Sequence, residues 1–259
     1  MKKIAIYILF SIAPVLAMAQ DGISGATKHL FTKAMADSFY MANDYKEAIY
    51  VYEQLLQNKG ESVEVYYNLG NAYYKSDEVA KAILNYERAL LLAPADDDIK
   101  FNLSIAKSKT VDKVNEPYRL FFTIWMENLM NVFSLSAWTV VGIVAFVLLL
   151  VSLFLFLFGK NRAVRKTTFF LSILALIVTV LANVSALHHH KKLTQRDAAV
   201  IMQPSVTAKS TPDASGTDLF VIHEGHKVNV VDDTMKGWKE IELEDGTRGW
   251  VPAASIEKI

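Results

Sequence analysis

Two apolar stretches decide the organisation of this chain: AWTVVGIVAFVLLLVSLFLFLF at residues 137–158 and TFFLSILALIVTVLANVSAL at residues 168–187. Each is about 20 residues long without Asp, Glu, Lys or Arg, as a helix needs to cross roughly 30 Å of hydrocarbon. A helical hairpin buried in a soluble core could be as apolar, but the nearly uninterrupted run Val140–Phe158 favours a membrane. We therefore predict a transmembrane hairpin joined by the loop 159–167.

The overall composition combines an apolar segment, which we assign to a membrane, with two polar segments. The 259 residues are 52% hydrophobic with a mean hydropathy of +0.22, which is too apolar for a wholly soluble protein. The formal net charge is zero, yet acidic residues outnumber basic ones in both 20–116 and 197–259. This balance argues against a nucleic-acid partner, which requires a basic surface. The absence of cysteine excludes disulfides and thiolate metal sites.

Residues 1–19 combine a charged start, an apolar middle and the small-x-small ending Ala17-Met18-Ala19, which is typical of a secretory signal peptide. We expect cleavage after this ending; the alternative, an uncleaved N-terminal anchor, gives the same topology. Export then places 20–136 and the residues from Lys191 onward outside the cytoplasm. The four basic residues of 159–167 follow the positive-inside rule. We predict a multi-pass protein of the bacterial inner membrane, with both polar domains in the periplasm.

An internal repeat occupies residues 26–114. Its better copy has small, apolar and aromatic residues at fixed spacing: Tyr66, Leu69, Gly70, Tyr73, Ala82, Tyr86, Ala89 and Pro94. This pattern resembles the tetratricopeptide repeat, with Tyr in place of the signature Trp and Phe. One period earlier lies a looser copy: Met35, Ala36, Phe39, Ala48, Tyr52 and Leu55. With a capping helix near Asp98–Asp112, we predict an all-α solenoid of two repeats plus a cap.

The resemblance implies a concave surface that binds a peptide or a partner helix. Asn68 and Asn102 recur at one repeat position, and we predict that the groove near Asn68, Asn71 and Asn102 holds the partner through polar contacts. The alternative is that these are ordinary polar residues of a helix surface. Chaperone-type members grip a terminal carboxylate with Lys, Arg and Asn, whereas Asp37 and Asp98 stand at two of those positions here. A carboxylate clamp is therefore not expected.

The segment 117–136 between the repeats and the hairpin is amphipathic. Large apolar residues share one side: Phe121, Phe122, Trp125, Met126, Leu129 and Phe133. Such a stripe is more often part of a core, but this one adjoins a membrane span. We predict an interfacial helix that lies on the membrane surface.

The chain has no arrangement of residues that predicts catalysis. The two spans contain no ionisable side chain, which argues against proton or ion transport by the hairpin. The run His188–His190 has no Asp or Glu nearby to complete a metal site, and His223 and His226 lack the helix and the spacing of a zinc hydrolase site. No nucleophile with a base and no phosphate-binding loop stands out. We predict a protein without enzymatic activity, cofactor or bound metal.

The segment 197–259 alternates like β-strands around the turn signal Asp245-Gly246. Its ending, Gly249–Ile256, resembles the last hairpin and short turn of bacterial SH3-like domains. The resemblance implies a small all-β SH3-like barrel. Gly237 occupies the place of the ligand-stacking tryptophan of eukaryotic SH3 domains, and Ser255 that of the proline-binding tyrosine. Cell-wall peptide or protein binding is therefore expected rather than proline-peptide binding.

The order of these segments along the chain also resembles that of a known family. A signal peptide, two tetratricopeptide repeats, a two-span hairpin and an SH3-like barrel together make a multidomain membrane protein that resembles the BatE family of the Bacteroides aerotolerance (Bat) operon. The resemblance implies a membrane complex with von Willebrand A-type Bat proteins and a MoxR-type ATPase, linked to stress tolerance or envelope maintenance. We predict a non-enzymatic scaffold for protein–protein interaction. The alternative is an envelope sensor whose SH3-like domain binds peptidoglycan.

Overall fold

The computed structural model describes residues 31–112 and 120–259. The predicted signal peptide, 1–19, and residues 117–119 of the predicted interfacial segment lie outside this part. Residues from Phe31 to Ile259 belong to one compact unit. The described part contains eight α-helices: α1 Lys33–Met41, α2 Tyr45–Lys59, α3 Val63–Lys75, α4 Val79–Leu92, α5 Asp97–Ser108, α6 Phe121–Met130, α7 Leu135–Phe158 and α8 Arg162–Thr194.

Seven β-strands follow the helices in the described part of the chain. They are β1 Ala198–Ile201, β2 Ser205–Lys209, β3 Asp218–His223, β4 Lys227–Asp232, β5 Trp238–Glu242, β6 Arg248–Pro252 and β7 Ile256–Lys258. A single 3₁₀ turn, Ala253–Ser255, separates the last two strands. We call α1–α5 the helical array, α7 and α8 the hairpin, and β1–β7 the C-terminal sheet.

The helical array repeats its turns as well as its helices. Asn43 and Asp77, which lie one 34-residue period apart, both adopt a left-handed backbone with φ of 61° and 63° between the two helices of each pair. Asn and Asp tolerate this conformation better than other non-glycine residues. Asp44 then begins α2 by accepting a hydrogen bond from the Glu47 amide on its side chain. The left-handed residue therefore recurs at the turn of both repeats, whereas Glu78, at the start of α4, makes no side-chain cap.

Small side chains let the helices of each pair approach closely. A Cβ placed on Gly70 would lie 2.7 Å from the Tyr86 ring, so only glycine admits this ring against α3. Ala82, whose carbonyl oxygen would lie 3.3 Å from the same Cβ, is fully buried, as are Ala36 of α1 and Ala48 of α2. These positions are the small residues of the repeat pattern, and their burial explains why the pattern requires them.

Among the described residues, two helices are long and apolar enough to cross a membrane, Leu135–Phe158 and Arg162–Thr194. Both extend beyond the apolar stretches, so the connection between them is only 159–161. Asn161 begins the second helix early, because its Oδ1 accepts a hydrogen bond from the Ala163 amide at 2.9 Å. The second helix is about 50 Å long at 1.5 Å per residue, so part of it must lie beyond a bilayer core of roughly 30 Å.

The hairpin packs through small residues and exposes large ones. A Cβ on Gly142 would lie 3.4 Å from the Cβ of Ala182, so the two backbones run close together at this level. Ser152 and Ser172 are also buried between the helices. The outward side chains, such as Phe154, are large, apolar and exposed. This inside-out distribution is typical of helices packed in lipid, whereas a soluble core would bury the large side chains.

The C-terminal sheet is antiparallel, with the strand order β3-β2-β6-β5-β4-β1-β7. The two edge strands of this order do not pair within the described residues, so the sheet is not a closed barrel, and the prediction of a barrel is wrong in this respect. One reason lies at the end of β3, where the amide of His223 donates to Asp112 Oδ2 of the helical part at 2.6 Å instead of to another strand. The predicted turn at Asp245-Gly246 connects β5 to β6, with φ of +86° at Gly246.

The C-terminal sheet packs directly on the helical array. Val200 of β1 and Ile259 at the end of the chain are buried in the same apolar cluster as the helices. A Cβ on Gly225 would lie 2.7 Å from Thr110 Cγ2 and 3.0 Å from Ile83 Cδ1. Glycine at this position therefore allows the turn before β4 to lie against α4 and the end of α5.

Candidate partner-binding site

The helical array forms a pocket of about 260 Å³ on the side where α1 and α3 meet. Two of the predicted partner-binding residues, Asn68 and Asn71, line it, together with other polar and apolar residues: Asp37, Tyr40, Met41 and Tyr52. The third, Asn102, lies on α5, the next helix along this side. We call the surface formed by this pocket and Asn102 the groove.

The first half of the groove is organised around the Asp37 carboxylate. Asp37 Oδ1 accepts hydrogen bonds from the Tyr52 hydroxyl at 2.6 Å and from Asn68 Nδ2 at 3.3 Å. Lys33 Nζ lies 2.8 Å from Asp37 Oδ2. Burial by itself raises the pKa of Asp37, but the hydrogen bonds from Lys33 and Tyr52 outweigh it and hold the pKa below its ordinary value. Asp37 therefore carries its charge inside the groove.

The second half repeats this arrangement with an uncharged acceptor. Asn71 Oδ1 accepts hydrogen bonds from the Tyr86 hydroxyl at 2.7 Å and from Asn102 Nδ2 at 3.1 Å. Asn102 Nδ2 also donates to the Tyr67 hydroxyl at 2.8 Å. Burial raises the pKa of Tyr86, so its hydroxyl stays protonated and remains a donor.

The two halves are related by the repeat period. The three members of the first half, Asp37, Tyr52 and Asn68, each lie 34 positions before their counterparts. Those counterparts are Asn71, Tyr86 and Asn102. In each triad an acceptor on the first helix of a repeat binds a tyrosine of the second helix and an asparagine of the next repeat. The recurrence of Asn68 and Asn102 therefore reflects a bond that joins successive repeats.

These bonds leave one amide atom of each asparagine open. Within the described residues, Asn68 Oδ1, Asn71 Nδ2 and Asn102 Oδ1 take part in no hydrogen bond. All three side chains are half-buried. The groove thus offers two acceptors and one donor held in fixed positions, which can match the donors and acceptors of a peptide backbone.

The three predicted asparagines do not form one row of equivalent residues along the groove. Asn71 and Asn102 are bonded to each other, whereas Asn68 belongs to the triad of Asp37. Sequence reasoning missed the role of the tyrosines Tyr52 and Tyr86, although their 34-residue spacing was a signal that could have identified them. The cation expected in a carboxylate clamp is already neutralised, because Lys33 contacts both Asp37 and Glu64.

A buried carboxylate joins the helical array to the C-terminal sheet. Glu87 of α4 is only 5% exposed, and its two oxygens lie 2.7 Å from Lys107 Nζ and 2.7 Å from Lys227 Nζ. Burial raises the pKa of Glu87, but the two ammonium groups outweigh it and hold the pKa below its ordinary value. Nearby, Asp112 accepts hydrogen bonds from the backbone amide and the Nδ1 of His223. The two modules are thus held in one arrangement.

The C-terminal sheet lacks an exposed aromatic pair at the positions considered for proline-peptide binding. Ser255 is fully buried and donates its hydroxyl to the Pro252 carbonyl at 2.6 Å, so it cannot face a ligand. Gly237 has φ of +88° and no side chain to stack on a ligand. The exposed apolar side chains of this domain include Leu219 and Val221 on the edge strand β3.

The described residues of the helical array and the C-terminal sheet present no recognisable metal site. Within residues 31–112 and 120–259, no group of three or more His, Cys, Asp or Glu is placed to hold a metal ion. His223 Nδ1 lies 2.8 Å from Asp112 and joins the modules through this hydrogen bond, whereas His226 Nδ1 lies 3.9 Å from Asp112, too far for one.

Comparison with known families identifies both modules. A TPR repeat family model matches residues 36–77, and a tetratricopeptide repeat model matches residues 63–96. A bacterial SH3 domain model matches residues 205–257. No curated protein sequence matches the chain. The chain therefore contains tetratricopeptide repeats and a bacterial SH3 domain, separated by two helices that could span a membrane.

Proposed function

We propose that this protein is a non-enzymatic scaffold, anchored in the bacterial inner membrane by the hairpin, that presents both modules in the periplasm to bind other proteins. Tetratricopeptide repeats and bacterial SH3 domains both suggest binding of proteins or peptidoglycan. The observation that carries the proposal is the set of open amide atoms on Asn68, Asn71 and Asn102. Because these atoms are uncharged, they suit a peptide backbone better than a charged terminus.

The electrostatics of the groove narrow the choice of partner segment. Asp37 is ionised and the sequence around the repeats is acidic. A neutral or basic segment is therefore favoured over an acidic tail. The architecture resembles the BatE family, and on that ground we propose a Bat-type stress-tolerance complex. Its members would include von Willebrand A-type Bat proteins of the same membrane.

The test is crosslinking in native membranes, followed by pull-down and mass spectrometry. The double variant Asn68→Ala with Asn102→Ala should weaken capture of the partner by roughly 1 to 3 kcal/mol if the open oxygens meet a buried backbone. Asn58→Ala is the matched control, because Asn58 is an exposed asparagine of α2 outside the groove. Circular dichroism establishes that each variant is folded. Full capture of every partner by the folded double variant would rule out the groove as the binding site.

A second candidate function is an envelope sensor whose SH3 domain binds peptidoglycan. It is favoured by the match to the bacterial SH3 domain model, together with the burial of Ser255 where a proline-peptide site would need an exposed aromatic. The test is co-sedimentation of the full-length protein in detergent with isolated cell wall. The variant Leu219→Asp with Val221→Asp, on the exposed edge of the sheet, should reduce binding. No sedimentation of the unaltered protein would eliminate this function.

A further inference from the structure

A basic pocket lies at the end of the hairpin where α7 connects to α8. Its volume is about 300 Å³, and two aromatic and three basic residues line it: Phe156, Arg162, Arg165, Lys166 and Phe169. Phe156 belongs to the last turn of α7, and the other four belong to the first turns of α8. The residues from α8 are spaced by three or four positions, so they share one face of the helix. We call this site the turn pocket.

Arg165 is held in place by the end of the neighbouring helix. Its Nε donates a hydrogen bond to the Phe156 carbonyl at 3.2 Å, and its guanidinium carbon lies 5.6 Å from the centre of the Phe156 ring. The rings of Phe156 and Phe169 are in turn 5.5 Å apart and form the apolar side of the pocket. Within the described residues, Nη1 and Nη2 of Arg165 make no hydrogen bond. The guanidinium therefore presents an oriented pair of donors, which suits two oxygens of one anionic group.

The three basic side chains of the turn pocket have no acidic partner within the described residues. The sequence contains no Asp or Glu between Glu127 and Asp197. The ion pairs of α8 lie at its opposite end, at Lys192 and close beyond it at Arg196. From Lys166 to that end the helix rises about 40 Å, which is far beyond the reach of a side chain. The expected partner of these charges is therefore an anion from outside the protein.

The surroundings of the turn pocket select the kind of anion. The apolar stretches 137–158 and 168–187 adjoin it, and their outward side chains, such as Phe154 and Phe170, are exposed. A ligand here meets cations at one end and an apolar surface at the other. Free phosphate or an acidic peptide has no apolar part for that surface, whereas a phospholipid has both parts. A zwitterionic lipid such as phosphatidylethanolamine would add an ammonium group beside three cations and is therefore disfavoured.

We infer that the turn pocket binds the phosphodiester of an anionic phospholipid, with Arg165 on two phosphate oxygens and an acyl chain along Phe156 and Phe169. Arg162 and Lys166 add positive charge beside the phosphate. The inference rests on the proposed membrane span of the hairpin, and the proposed topology makes the ligand a lipid of the cytoplasmic leaflet. It goes beyond anchoring, because apolar helices with positive charges in any arrangement can anchor a protein, whereas this site requires the oriented guanidinium of Arg165.

The experiment uses the full-length protein in mild detergent with equal amounts of phosphatidylglycerol and phosphatidylethanolamine that carry the same acyl chains. After excess lipid is washed away, mass spectrometry should show about tenfold more bound phosphatidylglycerol, since charge-assisted hydrogen bonds are lost to repulsion in the other lipid. The melting temperature should also rise with the concentration of phosphatidylglycerol and much less with that of phosphatidylethanolamine.

Three variants separate a built site from a merely positive surface. Arg165→Lys keeps the charge, and with it the positive-inside signal, but lacks the planar fork, so it should weaken binding of phosphatidylglycerol about tenfold. Lys166→Gln should weaken binding as well. Lys160→Gln is the matched control, because it removes the same charge at the same end of the hairpin but Lys160 does not line the pocket. This control should bind nearly as well as the unaltered protein.

All three substituted side chains are exposed, so each variant should melt like the unaltered protein before lipid is added. The inference is overturned if both lipids are retained equally, or if Arg165→Lys and Lys166→Gln bind as well as Lys160→Gln. Displacement of phosphatidylglycerol by millimolar inorganic phosphate would assign the pocket to free phosphate instead. Extraction of membranes with alkaline carbonate tests the span separately. A protein that stays in the membrane without a lipid preference loses this inference alone, whereas a released protein loses the proposed anchor as well.

Discussion

Lys227 Nζ of β4 lies 2.7 Å from Glu87 Oε2 of α4, and this contact connects two modules that are distant in the sequence. The other oxygen of Glu87 is bound by Lys107 of the helical array. A carboxylate this deeply buried requires such pairing, because an isolated charge would be costly to remove from water. The repeats and the SH3 domain therefore act as one body, and binding to either can affect the other.

Replacing Glu87 with Gln should destabilise the protein by about 1 to 3 kcal/mol. This is less than the cost of breaking a wholly buried pair, because both lysines remain partly in water. The measurement is chemical denaturation of the full-length protein in detergent. Glu47→Gln, at an exposed position of α2, is the control and should change little. Equal stability of the two variants would show that the buried contact contributes nothing.

Acid should loosen the contact between the modules. Burial lowers the pKa of His226, so the folded state favours neutral imidazole, and stability falls as the pH drops below the ordinary value of about 6.5. Burial raises the pKa of Asp112, but hydrogen bonds from His223 outweigh it and leave the pKa lowered. Its contribution is complete above the ordinary value and is lost as the pH falls through the lowered pKa. The pKa of Glu87 is also lowered, so the contribution of Glu87 to stability is likewise lost in acid.

The measurement is the melting temperature between pH 7.5 and pH 2. It should fall in two stages, the first from His226 and the second from the two carboxylates. His226→Gln should remove the first stage and keep the second. A melting temperature that stays constant across this range would contradict the assignment.

Removing one hydroxyl of a triad should weaken the repeats modestly. Tyr86→Phe takes away the 2.7 Å bond to Asn71 Oδ1 and should cost about 1 kcal/mol, since the ring still fills the space beside Gly70. Tyr50→Phe is a suitable control, because Tyr50 is 51% exposed. Thermal denaturation of both variants distinguishes them. If the two variants have the same melting temperature, the triad does not stabilise the helical array.

Both ends of the mature protein should lie outside the cytoplasm, because an exported N-terminus and two spans return the chain to the same side. A reporter that is active only in the cytoplasm should be silent after Ile259 and active when inserted at Lys160, in the short connection of the hairpin. An insertion at Ser76, between α3 and α4, is a second silent position. An active C-terminal fusion would reverse the proposed topology.

Much of this organisation could be predicted from the sequence because it depends on short-range patterns. The apolar stretches determine the length of the hairpin helices, and the spacing of Gly70, Ala82 and Ala89 determines how helices pair within a repeat. The period that relates Asn68 to Asn102 was visible as well. The role of these two asparagines could not be predicted from the sequence. Their acceptors, Asp37 and Asn71, come within hydrogen-bond distance only when successive helices are stacked.

The amino-acid sequence alone determined the apolar hairpin, the two repeats and the strand pattern of the SH3 domain, since neighbouring residues encode each of these. Only the tertiary structure decided that the sheet remains open and that Glu87 binds Lys227. Glu87 and Lys227 are separated by 140 positions, and nothing local in either segment distinguishes them from ordinary surface charges. Their pairing follows from the docking of two apolar faces, which places Lys227 beside the second oxygen of a buried carboxylate whose first oxygen is bound by Lys107.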